Sequence, residues 1–590
     1  MQAYIQLLSR YLRPLLPKAA LLAVCLFTAI GLQLYIPQLV RAFIDLATAK
    51  AALEQLTGIA LTFLALSVCN QGLGAAATYL AADVGWSATN ALRADLFRHA
   101  LSLDMSYHKD RTPGEMIERL DGDVTSISNL FAQFLVRISA AAVMTFGVLI
   151  LLWREDARVG AVLTVYTAIA LIVLHRRREI AVEPTRRERE MSAQGFGFIE
   201  ERLAGLDDIR ANGAGRYVMH RFLEVQREWY AAARHAWLTR STLWIAMGVL
   251  FSSGYLLTLG LGIWLYTAGS VTLGTVYLFF QYLGLLESPL DQITQQLQEF
   301  QKAAAGVRRV QEMSTQNSSL TSGPRSLAAT GALGVAFEDV RFQYSEQYVL
   351  KGVSFALQPG ETLGLLGRTG SGKTTLIRLL FRLYDTTTGR VQLNGIALPD
   401  LALDSLRARV ALVTQDVQLF QGTIRQNLSF FDPGVSNERL LEVTEALGIR
   451  SWIDSLPQGL DTPLAAGGAG LSAGESQLIA FARVFLKDPG LVILDEPSSR
   501  LDPATERLLT QALDGLLRDR TGIIIAHRLE TVERVDKIMV LADGEIVEFG
   551  PRAELERDPG SRYSALLRMG ARRGGGGGSS IDEQIDELMV

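Results

Sequence analysis

The sequence predicts a polytopic α-helical membrane domain, six transmembrane helices with long cytoplasmic extensions, joined to an α/β P-loop domain. Three observations carry this. The apolar residues crowd the first half, in six stretches long enough to cross a bilayer, which takes about 20 residues at 1.5 Å each. The second half holds short, fully apolar runs of the kind that form buried parallel strands. One of these runs, Thr362 to Leu366, leads into Gly367-Arg368-Thr369-Gly370-Ser371-Gly372-Lys373-Thr374 and then a helical pattern from Thr375. That is G-x-x-x-x-G-K-[ST] in the strand–helix context the motif needs.

Composition sets the frame. At 590 residues the chain exceeds one domain, and a mean hydropathy of +0.20 is high for a soluble enzyme. The net charge of −4 leaves no basic footprint for nucleic acid. Cys25 and Cys69 both lie in apolar segments and read as helix-packing residues.

The spans are expected near 19–45, 56–82, 131–153, 157–175, 243–268 and 272–297. The first apolar run is too long for a cleavable signal peptide and lacks a small-residue cleavage site. Arg10, Arg13 and Lys18 precede it, and His175-Arg176-Arg177-Arg178 and Arg186-Arg187 follow the fourth span. The excess of positive charge puts both termini and the P-loop domain in the cytoplasm, in a plasma (inner) membrane protein. About 50 to 70 residues separate spans two and three, and four and five. They are charged yet helical in pattern, as expected for helices continuing about 30 Å or more beyond the bilayer.

Boundaries follow: 1–312 for the membrane domain, 313–334 for a Ser/Thr/Gly/Ala-rich linker, 335–571 for the nucleotide-binding domain and 572–590 for a Gly-rich tail. The tail reads as flexible or as an engineered addition, with a short docking helix over 581–588 as the alternative.

The P-loop domain carries the chemistry. Its glycines let backbone N–H groups turn inward around the phosphates of ATP, Lys373 adds a charge, and the Thr374 hydroxyl suits Mg²⁺. Leu491 to Leu494 is a strand-like run ending in Asp495-Glu496: Asp495 suits the Mg²⁺ water shell, and Glu496 suits polarising the attacking water. Ile523 to Ala526 ends in His527, within expected reach of a γ-phosphate, and Val410 to Thr414 ends in Gln415, a neutral ligand for Mg²⁺ or water. Gln415 or His527 alone would read as structural; together with the loop they point to one site.

The order of these pieces resembles the nucleotide-binding domain of ATP-binding-cassette (ABC) transporters. Leu471-Ser472-Ala473-Gly474-Glu475 resembles the family signature, Ser499-Arg500-Leu501-Asp502 sits where its D-loop belongs, and Phe342-Gln343-Tyr344 resembles its A-loop. The resemblance implies that Tyr344 stacks on adenine, and that two such domains close head to tail so that each signature completes the partner's ATP site. Tyr107 to Glu115 with Arg119, Leu120, Asp123 and Val124 resembles the first coupling region of exporters, and Glu200 to Leu206 with Asp208 to Arg210 the stretch before the second. Six spans fused ahead of one ATP domain is the half-transporter layout, which implies a dimer.

Four departures matter. Ala473 replaces a glycine and Glu475 a glutamine, Arg500 stands where the D-loop usually has alanine, and Ala466 stands where an upstream glutamate is usual. The resemblance implies a heterodimer subunit that keeps a competent Glu496 and lends a weakened signature. A homodimer is the alternative. The reading is an ATP-driven exporter half moving an amphipathic drug, lipid or peptide among membrane lipids. An exporter-fold importer of metal chelates and an ATP-gated regulatory member stand as alternatives.

Aromatics in the spans suit an amphipathic substrate and equally suit interface belts. Glu287, two residues before Pro289 in the sixth span, reads either as lining the path or as a headgroup-level carboxylate.

Overall fold

The computed structural model describes residues 9–129, 135–468, 470–495, 503–526 and 532–572. They fall into two compact units, Met1–Ser102 with Arg111–Asn317, and Leu103–Asp110 with Ser318–Val590. The segment 103–110 lies within the sequence-derived membrane domain yet clusters with the nucleotide-binding domain.

Helices α1 (Leu16–Thr48) and α2 (Leu53–Ser102) open the first unit. The short helix α3 (Met105–Lys109) belongs to the second unit. The first unit continues with α4 (Pro113–Ile117), α5 (Asp123–Asn129), α6 (Leu135–Glu155), α7 (Ala157–Ala204), α8 (Leu206–Ala211), α9 (Gly215–Thr267) and α10 (Leu273–Thr315). The six expected spans fall on α1, α2, α6, α7, α9 and α10, the start of the third, 131–134, lying outside the described residues. Among the described residues, four helices are long and apolar enough to cross a membrane, and Ala157–Val173 of α7 is a shorter apolar stretch.

Helix length answers the question of the charged loops. The 50 residues of α2 make about 75 Å of helix, more than twice a hydrocarbon core of about 30 Å. Much of the polar sequence continues the spans as helix, and the rest includes the short helices α3, α4, α5 and α8. At two breaks a capping side chain satisfies the next helix's orphan amides: Asp156 accepts from Arg158 N at 2.8 Å to start α7, and Thr272 accepts from Thr275 N to start α10.

In the first unit α1 packs on α2, α7 on α9, and α6 on α10. Val148, Leu152, Leu163, Leu265, Phe279 and Leu283 form the buried seam. A polar chain ties three helices at one end of it. Gln38 donates to the Tyr282 hydroxyl at 2.9 Å, Arg41 pairs with Glu155 at 2.5 Å, and Asp45 accepts from Thr272 and the Gly274 amide. Beyond the spans, Arg309 of α10 pairs with Asp123, whose side chain is 2% exposed, at the start of α5. The Asp123 carboxylate raises the Arg309 pKa, chiefly through that hydrogen bond.

Among the described residues the second unit contains a six-stranded and a four-stranded sheet. Strands β1 (Val335–Gln343), β2 (Tyr348–Leu357), β4 (Thr388–Leu393) and β5 (Ile396–Ala397) form the antiparallel sheet in the order β2-β1-β4-β5. The larger sheet comprises β3 (Thr362–Leu366), β6 (Val410–Val413), β9 (Leu491–Asp495), β10 (Thr521–Ile525), β11 (Lys537–Ala542) and β12 (Glu545–Pro551), with the two-residue pair β7 (Gly422–Thr423) and β8 (Pro463–Leu464) set apart. Its order is β12-β11-β3-β10-β9-β6, parallel except for β12.

Parallel strands buried on both faces must be apolar throughout, and Leu363, Leu365, Ile493, Leu494, Ile523 and Ile525 are all buried. Helices α11 (Lys373–Leu380), α12 (Leu403–Arg409), α13 (Ile424–Ser429), α14 (Asn437–Ala446), α15 (Arg450–Ser455), α16 (Ala473–Lys487), α17 (Pro503–Leu517), α18 (Arg552–Arg557) and α19 (Arg562–Arg572) complete the unit. The linker has no regular structure after α10, and Arg325 N donates to Asp400 O at 3.0 Å, which holds it on the second unit. The tail from residue 573 lies outside the described residues.

Candidate functional site

The site starts from strand order. With β10 between β3 and β9, and β6 beyond β9, parallel pairing brings the C-terminal ends of four strands to one edge. Ile525 pairs with both Leu365 and Asp495, and Val413 with Leu494, so those ends are level. Ligands of open α/β sheets bind outside such carboxyl ends. The phosphate loop leaves β3, Asp495 ends β9, and Gln415 follows β6 in an exposed turn.

The loop has the shape its glycines allow. Gly370 and Gly372 have φ of +87° and +108°, a region that disfavours side chains. A Cβ at Gly367 would lie 2.3 Å from Leu541 O. Helix α11 starts at Lys373, so its N-terminal amides face the loop. Lys373 is 7% exposed, and its ammonium bonds to the carbonyls of Gly367 and Arg368. The Ser371 hydroxyl is buried with no protein partner, and the Thr374 side chain is exposed on the first helical turn. A glycine cradle, a helix N-terminus, a buried lysine and an orphaned hydroxyl together fit a phosphate chain.

Tyr344, just past β1, is set beside this loop by α11. Its hydroxyl lies 3.3 Å from Thr375 Oγ1 and accepts from Arg378 at 3.1 Å. Tyr384 and Phe342 pack against its ring edge-to-face. On the ring sits Lys109 of α3, 4.1 Å from the centroid. Helix α3 is held through Asp104, which caps Tyr107 N and accepts from the Ser319 amide and hydroxyl at 2.8 and 2.6 Å. Burial opposes ionisation of Asp104, but the hydrogen bonds from Ser106, Ser319 and Tyr107 outweigh it and bring its pKa to about 2. Sequence reasoning named Tyr344 and put Lys109 in the first coupling region, yet missed Arg378, Asp104 and the contact of Lys109 with Tyr344, because their spacing carries no motif.

The signature opens α16. Ser472 is its N-cap, and a capping box joins Ser472 to Glu475. The helix packs on β6, α13 and α14, with Leu471 against the core, Ser472 and Ala473 exposed and Gly474 buried. Glu496, the D-loop Ser499 to Asp502, and His527 lie outside the described residues. Among the described residues no group of three or more His, Cys, Asp or Glu could hold a metal ion.

A pocket of about 590 Å³ lies between β6 and the helices after Gln415, bordered by Phe420, Phe430, Arg483 and Lys487. Burial lowers the pKa of Arg483 to about 10 and also lowers that of Lys487. Their charges are spent on carbonyls of Asn427, Gln418 and Val410.

Comparison with known proteins agrees with this geometry. Residues 350–499 match the ABC transporter family model and residues 20–290 the ABC transporter transmembrane region. The chain is 31% identical over 516 residues to the ATP-dependent lipid A-core flippase of Pseudomonas aeruginosa, covering 85% of this chain and 83% of that protein. It is 30% identical over 478 residues to a fatty acid ABC transporter ATP-binding/permease protein of Mycobacterium bovis, covering 80% and 75%. A solved bacterial Atm1-family ABC exporter with ATP bound superposes with a TM-score of 0.76 at 25% identity, covering 96% of this chain and 99% of that one.

Proposed function

This chain belongs to the ABC transporter family, as a multi-pass membrane protein of exporter-type half-transporter layout with an ATP-binding domain, and we propose that it hydrolyses ATP with Mg²⁺ to export an amphipathic substrate. The observation that carries this is the level edge of β3, β9 and β6. It collects the phosphate loop, Asp495 and Gln415 in a chain that also carries the spans.

In this reading the loop amides and Lys373 bind and orient the triphosphate. Thr374, Asp495 and Gln415 hold Mg²⁺, which neutralises developing phosphate charge. Glu496 polarises the attacking water, and His527 reaches the γ-phosphate. Tyr344 stacks on adenine. The signature Leu471 to Glu475, with the D-loop Ser499 to Asp502, acts on the ATP of a second subunit in a head-to-tail dimer. Closure passes to the helices through the coupling regions near 105–124 and 200–222. The chain resides in the plasma (inner) membrane with both termini cytoplasmic.

The relatives' names point to lipidic substrates. Glu287 narrows that class. It lies fourteen residues after Leu273, about 21 Å along α10. A carboxylate at that depth in a span favours a cationic or neutral amphiphile over an anionic one.

The variant signature favours a non-identical partner, whose phosphate loop it would cover to make a weaker site. Reconstitution in liposomes tests the whole reading. ATP-dependent flux away from the nucleotide-binding side, with substrate-stimulated ATPase, is expected. Flux towards that side selects an importer, and ATP binding without flux selects a regulatory member. A purified chain that alone forms a fully active dimer refutes the heterodimer.

A further inference from the structure

Glu475 does not point freely from the signature. Its carboxylate is held at both oxygens: Oε2 accepts from the Ser472 amide at 2.7 Å and Oε1 from the Trp452 indole N–H at 2.7 Å. Trp452 lies on α15, a separate helix, and packs partly buried against the core. The Ser472 hydroxyl accepts in return from Glu475 N at 3.2 Å. Two of the donors at the start of α16 are thereby spent within the chain, and a negative charge sits where the helix would attract an external anion. An indole N–H to a carboxylate is a charge-assisted bond.

We propose that Trp452 is a positioning residue that pins Glu475 in its capping pose and so holds this signature in a low-affinity form for a facing triphosphate. The inference rests on the reading that the signature covers a partner's ATP. The charge acts twice. It opposes the phosphates by like-charge repulsion, and it occupies the Ser472 amide that would otherwise be available to them. Trp452 contributes rigidity: with both oxygens anchored, the carboxylate cannot swing away into solvent. The asymmetry between sites is then set by a pair on two helices, and Glu475 is only half of it.

The test uses the full-length chain in the dimer it forms in lipid nanodiscs. Equilibrium binding of radiolabelled ATP with Mg²⁺ is measured, together with KM and kcat for ATP, for wild type, Trp452→Phe, Glu475→Gln and the double variant. Glu475→Gln is expected to lower half-saturating ATP by about three- to tenfold. Trp452→Phe, which keeps the aromatic packing but removes the N–H, should shift half-saturation the same way with kcat unchanged, and should add nothing in the Glu475→Gln background.

If thermal unfolding shows Trp452→Phe to be unstable, Glu475→Asp draws the carboxylate one methylene back from the indole and should give the same direction of shift. A shift in Glu475→Gln with none in Trp452→Phe and none in Glu475→Asp overturns the positioning role and leaves the signature reading standing. No shift in any variant overturns both.

Discussion

Lys109 sits over the ring of Tyr344, its ammonium 4.1 Å from the ring centroid, which puts the first coupling region in direct contact with the residue read as the adenine platform. The contact is a cation–π pair inside one compact unit, worth about 0.5–1 kcal/mol at an exposed site. Tyr344→Ala should therefore speed amide exchange across Met105–Lys109 roughly two- to fivefold in nucleotide-free protein, and Lys109→Ala should do the same. Hydrogen–deuterium exchange checks this, and unchanged protection in both variants would contradict it.

Asp104 is the second anchor of α3, and its pKa near 2 makes a pH statement. The value is depressed from 3.8, so the stabilisation is fully present above about pH 4 and is lost as pH falls through about 2. Asp104→Ala should remove the cap and the Ser319 bonds, costing about 1 kcal/mol of local stability at neutral pH. Exchange of the Met105–Lys109 amides should rise in the variant at pH 7, whereas the wild type should loosen only in acid.

The Asp123–Arg309 pair ties α5 to α10 with unequal exposure, 2% against 43% for the side chains. Arg309→Ala should leave a buried carboxylate unpaired and cost about 2 kcal/mol, below the range for fully buried pairs because Arg309 is half-exposed. Removing both partners with Asp123→Asn and Arg309→Gln should cost less than Arg309→Ala alone. Thermal unfolding of the purified chain decides it, and a double variant worse than the single would refute the pairing argument.

For the proposed chemistry, Glu496→Gln should abolish nearly all turnover while ATP still binds, since the phosphate loop is untouched. Lys373→Ala should weaken binding itself, because it removes the buried ammonium above Gly367 and Arg368. ATPase and nucleotide binding measured side by side separate the two. Near-parental hydrolysis in Glu496→Gln would remove Glu496 from the mechanism.

Glu287→Gln should reduce affinity for cationic amphiphiles and leave neutral ones unaffected. Competition among fluorescent cationic and neutral substrates in liposomes reads this directly. Identical selectivity in the two proteins would make Glu287 a headgroup-level carboxylate.

The sequence by itself determined the parts whose physics is local. Span length is a sum of consecutive apolar residues. The loop at Gly367 to Thr374 needs glycines, lysine and a hydroxyl at fixed spacing, and strands β3, β6, β9 and β10 announce themselves as short runs apolar on both faces. Only the tertiary structure decided relations between distant segments. That β10 separates β3 from β9, making the ends at Leu366, Asp495 and Val413 level, depends on pairing between separate segments of the chain. So does the assignment of residues 103–110 to the second unit, the placing of Lys109 on Tyr344, and the indole of Trp452 on Glu475. Such contacts join side chains whose spacing has no period, so no pattern along the chain encodes them. They arise when packing brings a lone donor within about 3 Å of a lone acceptor.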